Sequence, residues 1–349
     1  SHEEKPRAPK PDFLTPTRFD QLDIPPQLQA GLESAGYTRC TPIQAQVLPV
    51  SLAGRDVAGQ AQTGTGKTAA FLVTVMTRMM TFERKHPDLP AALIVAPTRE
   101  LASQIGEEIR SLARFTRAEV AIVFGGVSIN KQIAMLREGP QIMVACPGRL
   151  LDLLNRRAVR LDRIETLVLD EADHMFDMGF LPDIRRILAA LPERRQNLLF
   201  SATMPKEIRR LADQLLRDPL VAELNHTRPL ETIEHALYPI DERRKLGLLE
   251  HVLSSGDFRS AIVFTRTKHR AKRLAQKLDR SGHRAVALQG NMSQNARVRA
   301  MTGFRKREFD VLVATDIAAR GLDVEKISHV VNYDMPNTSD AYTPVSYTH

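Results

Sequence analysis

The octapeptide Ala61-Gln62-Thr63-Gly64-Thr65-Gly66-Lys67-Thr68 constrains the fold more than any other stretch of this chain. It departs from the pattern GxxxxGK[ST] only by Ala61 at the first glycine. Such a loop works between a strand and a helix. Glycines let backbone N–H groups close on phosphate oxygens, and the helix N-terminus adds favourable partial charge. Residues 56–59 read as the strand before it. After it, Phe71, Leu72, Val75, Met76 and Met79 share one helical face, with the methionines as core filler. Lys67 is placed to neutralise β- and γ-phosphates, and the Thr68 hydroxyl to help hold Mg²⁺.

Short apolar runs alternate with helical patterns around this loop. Runs at 92–96, 120–124, 141–145, 166–169 and 197–200 join 56–59, which argues a βαβ series and a mostly parallel sheet covered by helices on both faces. The pattern pauses near 225–231. A second series follows at 236–240, 261–264, 284–288, 311–314 and 329–333. The two series resemble each other. Leu93-Ile94-Val95-Ala96-Pro97-Thr98-Arg99 matches Ala261-Ile262-Val263-Phe264-Thr265-Arg266, pairing Ile94 with Ile262, and Val144-Ala145-Cys146 matches Val313-Ala314-Thr315. The expected class is α/β with two similar domains, 19–224 and 234–343, joined by a linker at 225–233. A flexible basic arm, 1–18, precedes them. The counterpart of 197–200 falls past residue 349, so the second domain is expected to be incomplete.

A length of 349 residues suits two domains, and a 43% hydrophobic content excludes a disordered chain. The longest apolar runs, such as 91–96, are too short to span a bilayer. Two cysteines, Cys40 and Cys146, exclude a disulfide framework or a CxxC zinc site and fit a reducing, cytoplasmic compartment. The net charge of +8 suits a polyanionic partner such as nucleic acid, and equally a solvated basic surface.

A phosphate loop needs a carboxylate at a neighbouring strand end. Leu167-Val168-Leu169-Asp170-Glu171-Ala172-Asp173 supplies it, with Asp170 for the metal and Glu171 to polarise the attacking water. Pro97-Thr98-Arg99 and Cys146-Pro147-Gly148-Arg149 stand at strand-to-helix junctions. Such junctions either cap helices or bind phosphates without reading bases. Gly125-Gly126 permits close approach of a sugar-phosphate backbone.

With these motifs in order from Phe19 to Tyr342, the chain resembles the DEAD-box RNA helicases, for which Asp170-Glu171-Ala172-Asp173 spells the name. The resemblance implies two RecA-like domains and an RNA-dependent ATP hydrolase that uses ATP and Mg²⁺ to separate short duplexes locally, with ATP and RNA binding together when the domains close. Gly36-Tyr37-Thr38-Arg39-Cys40-Thr41-Pro42-Ile43-Gln44 is similar to the adenine-reading Q motif. Gln44 would pair with the adenine edge, Tyr37 would stack on the ring, and Phe19 would support it. Gln62, Thr63, Gly64, Thr65, Gly66, Lys67 and Thr68 would hold the phosphates. The resemblance also assigns Pro97, Thr98, Arg99, Gly125, Gly126, Pro147, Gly148, Arg149, Thr265, Gln294, Arg297 and Thr315 to RNA. It assigns Gly321 and Asp323 to the nucleotide. Asp173, Ser201, Thr203 and Arg320 would couple hydrolysis to strand separation. Cys146 stands where the family has Thr, which exchanges a good hydroxyl donor for a weak thiol. Residues 52–60 look like bacterial members, some linked to RNA decay and ribosome assembly, so factors of that kind are the expected protein partners.

The resemblance breaks after Asn332-Tyr333-Asp334-Met335-Pro336, where the family continues into His-Arg-x-Gly-Arg-x-Gly-Arg. Here Pro344-Val345-Ser346-Tyr347-Thr348-His349 looks foreign, and no Arg follows Arg320. Lost arginine fingers cost about 10³–10⁵ in rate in related NTPases, so ATP binding with weak hydrolysis is expected. An ATP-gated RNA clamp without productive hydrolysis is the alternative. A DNA-directed ATPase or a small-molecule kinase fits fewer of the motifs.

Overall fold

The computed structural model describes residues 14–62, 64–81, 86, 88–224, 236–289, 292, 294–315 and 327–335. Two compact units emerge, Ser1–Asn225 and His226–His349. In the first, chain order runs α1 (Pro26–Ser34), α2 (Pro42–Leu52), β1 (Val57–Gln60), α3 (Lys67–Thr81), β2 (Ala92–Val95), α4 (Arg99–Leu112), β3 (Val120–Val123), α5 (Ile129–Arg137), β4 (Ile142–Ala145) and α6 (Pro147–Asn155). It continues through β5 (Thr166–Leu169), α7 (Ala172–Asp177), α8 (Leu181–Ala189), β6 (Gln196–Ser201), α9 (Lys206–Leu215) and β7 (Leu220–Glu223).

The strands form one seven-stranded parallel sheet in the order β3-β4-β2-β5-β6-β1-β7. The inner strands β2, β4, β5 and β6 are buried along their whole length, whereas the edge strands β3 and β7 are not. Burial on both faces explains their unbroken apolar character. Within β2, Ile94 points into a core built with α1 to α4, while Leu93 and Val95 point into a second core built with α5 to α9. A buried carboxylate ties one end of the sheet together. Asp56 accepts hydrogen bonds from the Asn197 backbone N (2.8 Å), Asn197 Nδ2 (3.1 Å) and the Arg217 backbone N (2.9 Å).

The second unit contains α10 (Lys245–Leu253), β8 (Ala261–Phe264), α11 (Lys268–Arg280), β9 (Ala285–Leu288), α12 (Gln294–Arg305), β10 (Val311–Ala314) and β11 (His329–Asn332). Its four parallel strands are ordered β11-β8-β10-β9. That order repeats β5-β2-β4-β3 of the first sheet. The register repeats too: Ala92 faces Ile142 and Thr166 as Ala261 faces Val311 and His329. Ile94 therefore corresponds to Val263, one residue from the pairing with Ile262 expected from sequence. Both strands are buried on both faces, so no alternation marks the register.

Several sequence expectations need correction. Residues 236–240 form no strand. Leu237 and Tyr238 are exposed there, and Pro239 has no N–H to give a ladder. The edge strand β7 is not among the expected strands: it is only four residues long, and of these only Ala222 is buried, so no buried apolar run marks it. Of the expected flexible arm, residues 14–18 are pinned to the Q-motif stretch. Thr15 N donates to Cys40 O (2.8 Å), Cys40 N donates to Thr17 O (2.8 Å), and Arg18 pairs with Arg39. Residues 1–13, the linker 225–233 and the tail 344–349 lie outside the described residues. Among the described residues, no helix is long and apolar enough to cross a membrane.

Candidate functional site

The phosphate loop leaves β1 and enters α3 at Lys67. Gly64 and Gly66 adopt φ of 81° and 91°, a left-handed region that favours glycine. Space above Gly64 is open, with no atom within 4 Å of where a Cβ would sit. At Gly66 a Cβ would meet Gln44 Nε2 at 2.5 Å and Thr41 Oγ1 at 2.8 Å, so α2 demands glycine there. Thr65 Oγ1 donates to Gln62 O (2.7 Å) and closes the loop on itself. Thr63 lies outside the described residues.

Strand order brings the acidic motif to this loop. β6 lies between β1 and β5, and Ala61 N donates to Ser201 O (3.0 Å), which anchors the loop to the end of β6. Lys67, Asp170 and Glu171 are all buried, at 5%, 2% and 8% exposure. Burial pushes the Asp170 carboxyl up to about 6; Lys67 opposes that rise, and Glu171 and Asp173 add to it. Glu171 N donates to Asp170 Oδ1 (3.0 Å), and Glu171 itself sits at φ 51°. Thr68, at the first turn of α3, is half-buried.

Asp173 joins this cluster to the turn after β6. Its N–H donates to Ser201 Oγ (3.0 Å). Its Oδ2 accepts from both Thr203 N and Thr203 Oγ1, each at 2.9 Å. The expected coupling residues Asp173, Ser201 and Thr203 are thus in direct contact, while Arg320 lies outside the described residues.

The expected adenine contacts have internal partners. Gln44 is fully buried. Its Oε1 accepts from Thr41 N (2.8 Å) and its Nε2 donates to Gly66 O (3.0 Å), a tie between α2 and the phosphate loop. Tyr37 stands edge-on to Phe19, with ring centroids 6.0 Å apart, and its hydroxyl donates to Glu108 Oε1 on α4 (3.0 Å). Burial and the neighbouring Asp170 push the Glu108 carboxyl up to about 7, against the lowering effect of the Tyr37 hydrogen bond. Gly321 and Asp323 lie outside the described residues.

At the other end of the same carboxyl edge, the loop after β3 is held from two sides. The Arg99 guanidinium lies over Gly125-Gly126, where a Cβ at Gly126 would collide with it, and its carbon is 6.0 Å from the Phe124 ring centroid. Arg149 donates to Val127 O (3.1 and 3.2 Å) and to Gln132 Oε1 (2.7 Å). Thr98 caps α4 by accepting from Leu101 N (3.2 Å). Pro147 opens α6 and is buried, and Gly148 faces open space. Cys146 stands at the α6 N-cap without a side-chain cap bond, and burial pushes its thiol up to about 12.

In the second unit, Thr265 departs from its expected place on an RNA-facing surface. It is 2% exposed and directs its hydroxyl toward backbone carbonyls of Thr267 and Ala314. The exposed position is Thr267, which caps α11 through Arg270 N (3.2 Å) just as Thr98 caps α4. Shifting the repeat by one residue would have found it. Arg297 on α12 and Thr315 past β10 are half-buried, and Gln294 opens α12. Sequence reading also missed His174 and Glu108, whose roles depend on contacts rather than on a motif.

A phosphate-loop motif stands beside buried carboxylates, in a parallel α/β sheet whose strand order recurs in a second unit. The family model of the DEAD/DEAH box helicases matches residues 41–211, and that of the helicase conserved C-terminal domain matches 244–349. The chain is 44% identical over 326 residues to the DEAD-box ATP-dependent RNA helicase CshA of Streptococcus pneumoniae, covering 93% of this chain and 62% of that protein. It is 44% identical over 337 residues to the ATP-dependent RNA helicase RhlB of Xanthomonas axonopodis pv. citri, covering 94% and 59%. Among solved structures, S. cerevisiae Dbp5 bound to RNA and ADP BeF3 superposes with a TM-score of 0.84 at 32% identity, covering 95% of this chain and 86% of that one. The chain belongs to the DEAD-box helicase family. It spans about 62% of the length of the CshA relatives it matches.

Proposed function

We propose that this chain is an RNA-dependent ATPase that uses ATP binding and hydrolysis to separate short RNA duplexes. The observation that carries the reading is the placement of Lys67, Asp170 and Glu171 at one sheet edge, linked through Asp173 to Ser201 and Thr203. The donor set suits Mg²⁺. Asp170 is a desolvated carboxyl crowded by two others, a charge arrangement that a divalent cation relieves. Asp170 and the Thr68 hydroxyl would hold the ion, which supplies positive charge to the β- and γ-phosphates. Lys67 adds a fixed charge, the loop N–H groups orient the phosphates, and Glu171 receives a proton from the attacking water.

RNA is the proposed polyanion. The relatives named above are RNA helicases, and the Dbp5 structure was obtained with RNA bound. In this chain Thr98 and Gly148, at helix N-termini on the same edge, are suited to phosphates rather than bases.

The test is Mg²⁺-dependent ATP hydrolysis with and without single-stranded RNA, alongside labelled-nucleotide binding. Glu171→Gln should bind ATP like the parent and lose about 10²–10⁴ in turnover, the usual worth of a general base. Lys67→Ala should weaken ATP binding itself. Unchanged RNA release kinetics in Glu171→Gln would favour the ATP-gated clamp. Failure to bind ATP, or indifference to RNA, would overturn the proposal.

A further inference from the structure

His174 belongs to none of the motifs above, yet its ring meets the side chain of Glu171. The imidazole is 3% exposed, and its Nδ1 lies 3.1 Å from Glu171 Oε2. Its Nε2 is buried with no hydrogen-bond partner among the described residues. This asymmetry selects the tautomer. A proton on Nε2 would orphan a buried donor and set the Nδ1 lone pair against a carboxylate; a proton on Nδ1 makes the bond and leaves only an under-used acceptor.

The backbone of the same residue points the other way. His174 N donates to Asp173 Oδ1 (3.0 Å), while Asp173 Oδ2 is held by Thr203 N and Oγ1. Glu171, at φ 51°, cannot take its orientation from a regular helix turn. The hydrogen-bonded sequence Thr203–Asp173–His174–Glu171 is continuous, with each link between 2.9 and 3.1 Å.

We propose that His174 is a positioning residue for Glu171. Its Nδ1–H holds Oε2, leaving Oε1 to accept the proton of the attacking water, and its backbone joins that carboxylate to the turn at Ser201–Thr203. The proposal rests on the reading of Glu171 as the group that polarises water.

Two substitutions separate this role from plain packing. His174→Leu keeps an apolar filler and removes the donor. His174→Asn keeps a donor near the Nδ1 position and gives up volume. Positioning predicts that His174→Leu lowers the kcat of RNA-stimulated ATP hydrolysis by about 10–100-fold, the usual cost of losing an orienting partner, with KM for ATP and RNA affinity within about twofold. It also predicts that His174→Asn recovers most of the loss. A packing role predicts the reverse order, and that order, or full activity in His174→Leu, overturns the proposal. A ring-nitrogen NMR spectrum of the ¹⁵N-histidine-labelled parent chain reads the same contact without turnover. An Nδ1–H tautomer whose proton resonance moves in Glu171→Ala supports the proposal; an Nε2–H tautomer overturns it. If the parent neither binds nor hydrolyses ATP, the functional reading fails, and this spectrum still decides the His174–Glu171 contact.

Discussion

Glu108 shows how a single side chain acquires a property its sequence position does not announce. It is one acidic residue among several on an amphipathic helix, and its partner Tyr37 lies 71 residues earlier. Burial against that ring raises its carboxyl to about 7 from an ordinary 4.5. The folded chain therefore binds this proton more tightly than the unfolded chain. The resulting stability is fully present below about pH 4.5 and is lost as pH rises through about 7. The melting temperature of the first unit should fall between pH 5 and pH 8, by about 2–4 °C for each kcal/mol lost; because the raised Asp170 carboxyl adds to the same fall, Glu108→Gln should reduce that slope without abolishing it. An equally steep slope in Glu108→Gln would place the titrating group elsewhere. By contrast, Lys67, Asp170 and Glu171 were legible in sequence, because each belongs to a short motif whose chemistry is local.

Apolar runs placed most of the described strands to within one residue. The runs at 166–169, 261–264 and 311–314 match β5, β8 and β10 residue for residue. Other strand ends shift by one: at β6 the polar Gln196 and Ser201 sit inside the sheet, whereas at β2, β3, β4, β9 and β11 the run extends one residue past the ladder. The failure at 236–240 is instructive: apolar residues alone do not make a strand without a neighbour to complete the ladder. The Asp56 carboxylate makes the converse point. Three N–H donors from the β6 and α9–β7 segments converge on it in a buried setting. Asp56→Ala should strand those donors and cost about 3–5 kcal/mol, measurable as a lower urea midpoint, whereas Asp56→Asn should cost less. A loss below about 1 kcal/mol in Asp56→Ala would show that solvent or rearrangement replaces the carboxylate.

For the whole molecule, the net charge of +8 and the helix N-termini at one sheet edge set the expected behaviour toward RNA. Binding dominated by phosphates should vary little with sequence and strongly with salt. For roughly four phosphates neutralised, log K should fall with log salt at a slope of about −3 on single strands. Titration of two unrelated single-stranded RNAs at several salt concentrations checks both features. A shallow slope with strong sequence preference would point to base readout instead. The repeated order β5-β2-β4-β3 and β11-β8-β10-β9 also belongs to this scale. Motif similarity hinted at it, and strand pairing located it to the residue.

The sequence by itself determined the α/β class, the phosphate loop, the acidic tetrad and the presence of two related series. These are carried by local spacing and periodicity, which depend only on neighbouring residues. Tertiary structure alone decided that β6 separates β1 from β5, that Lys67 acts on Asp170, that Thr267 rather than Thr265 is the exposed hydroxyl, and that His174 faces Glu171. Such pairings join residues or strands whose partners are set by packing rather than by spacing along the chain. Loop closure varies only slowly with length, so it leaves several strand orders open, and the burial of both sheet faces selects among them.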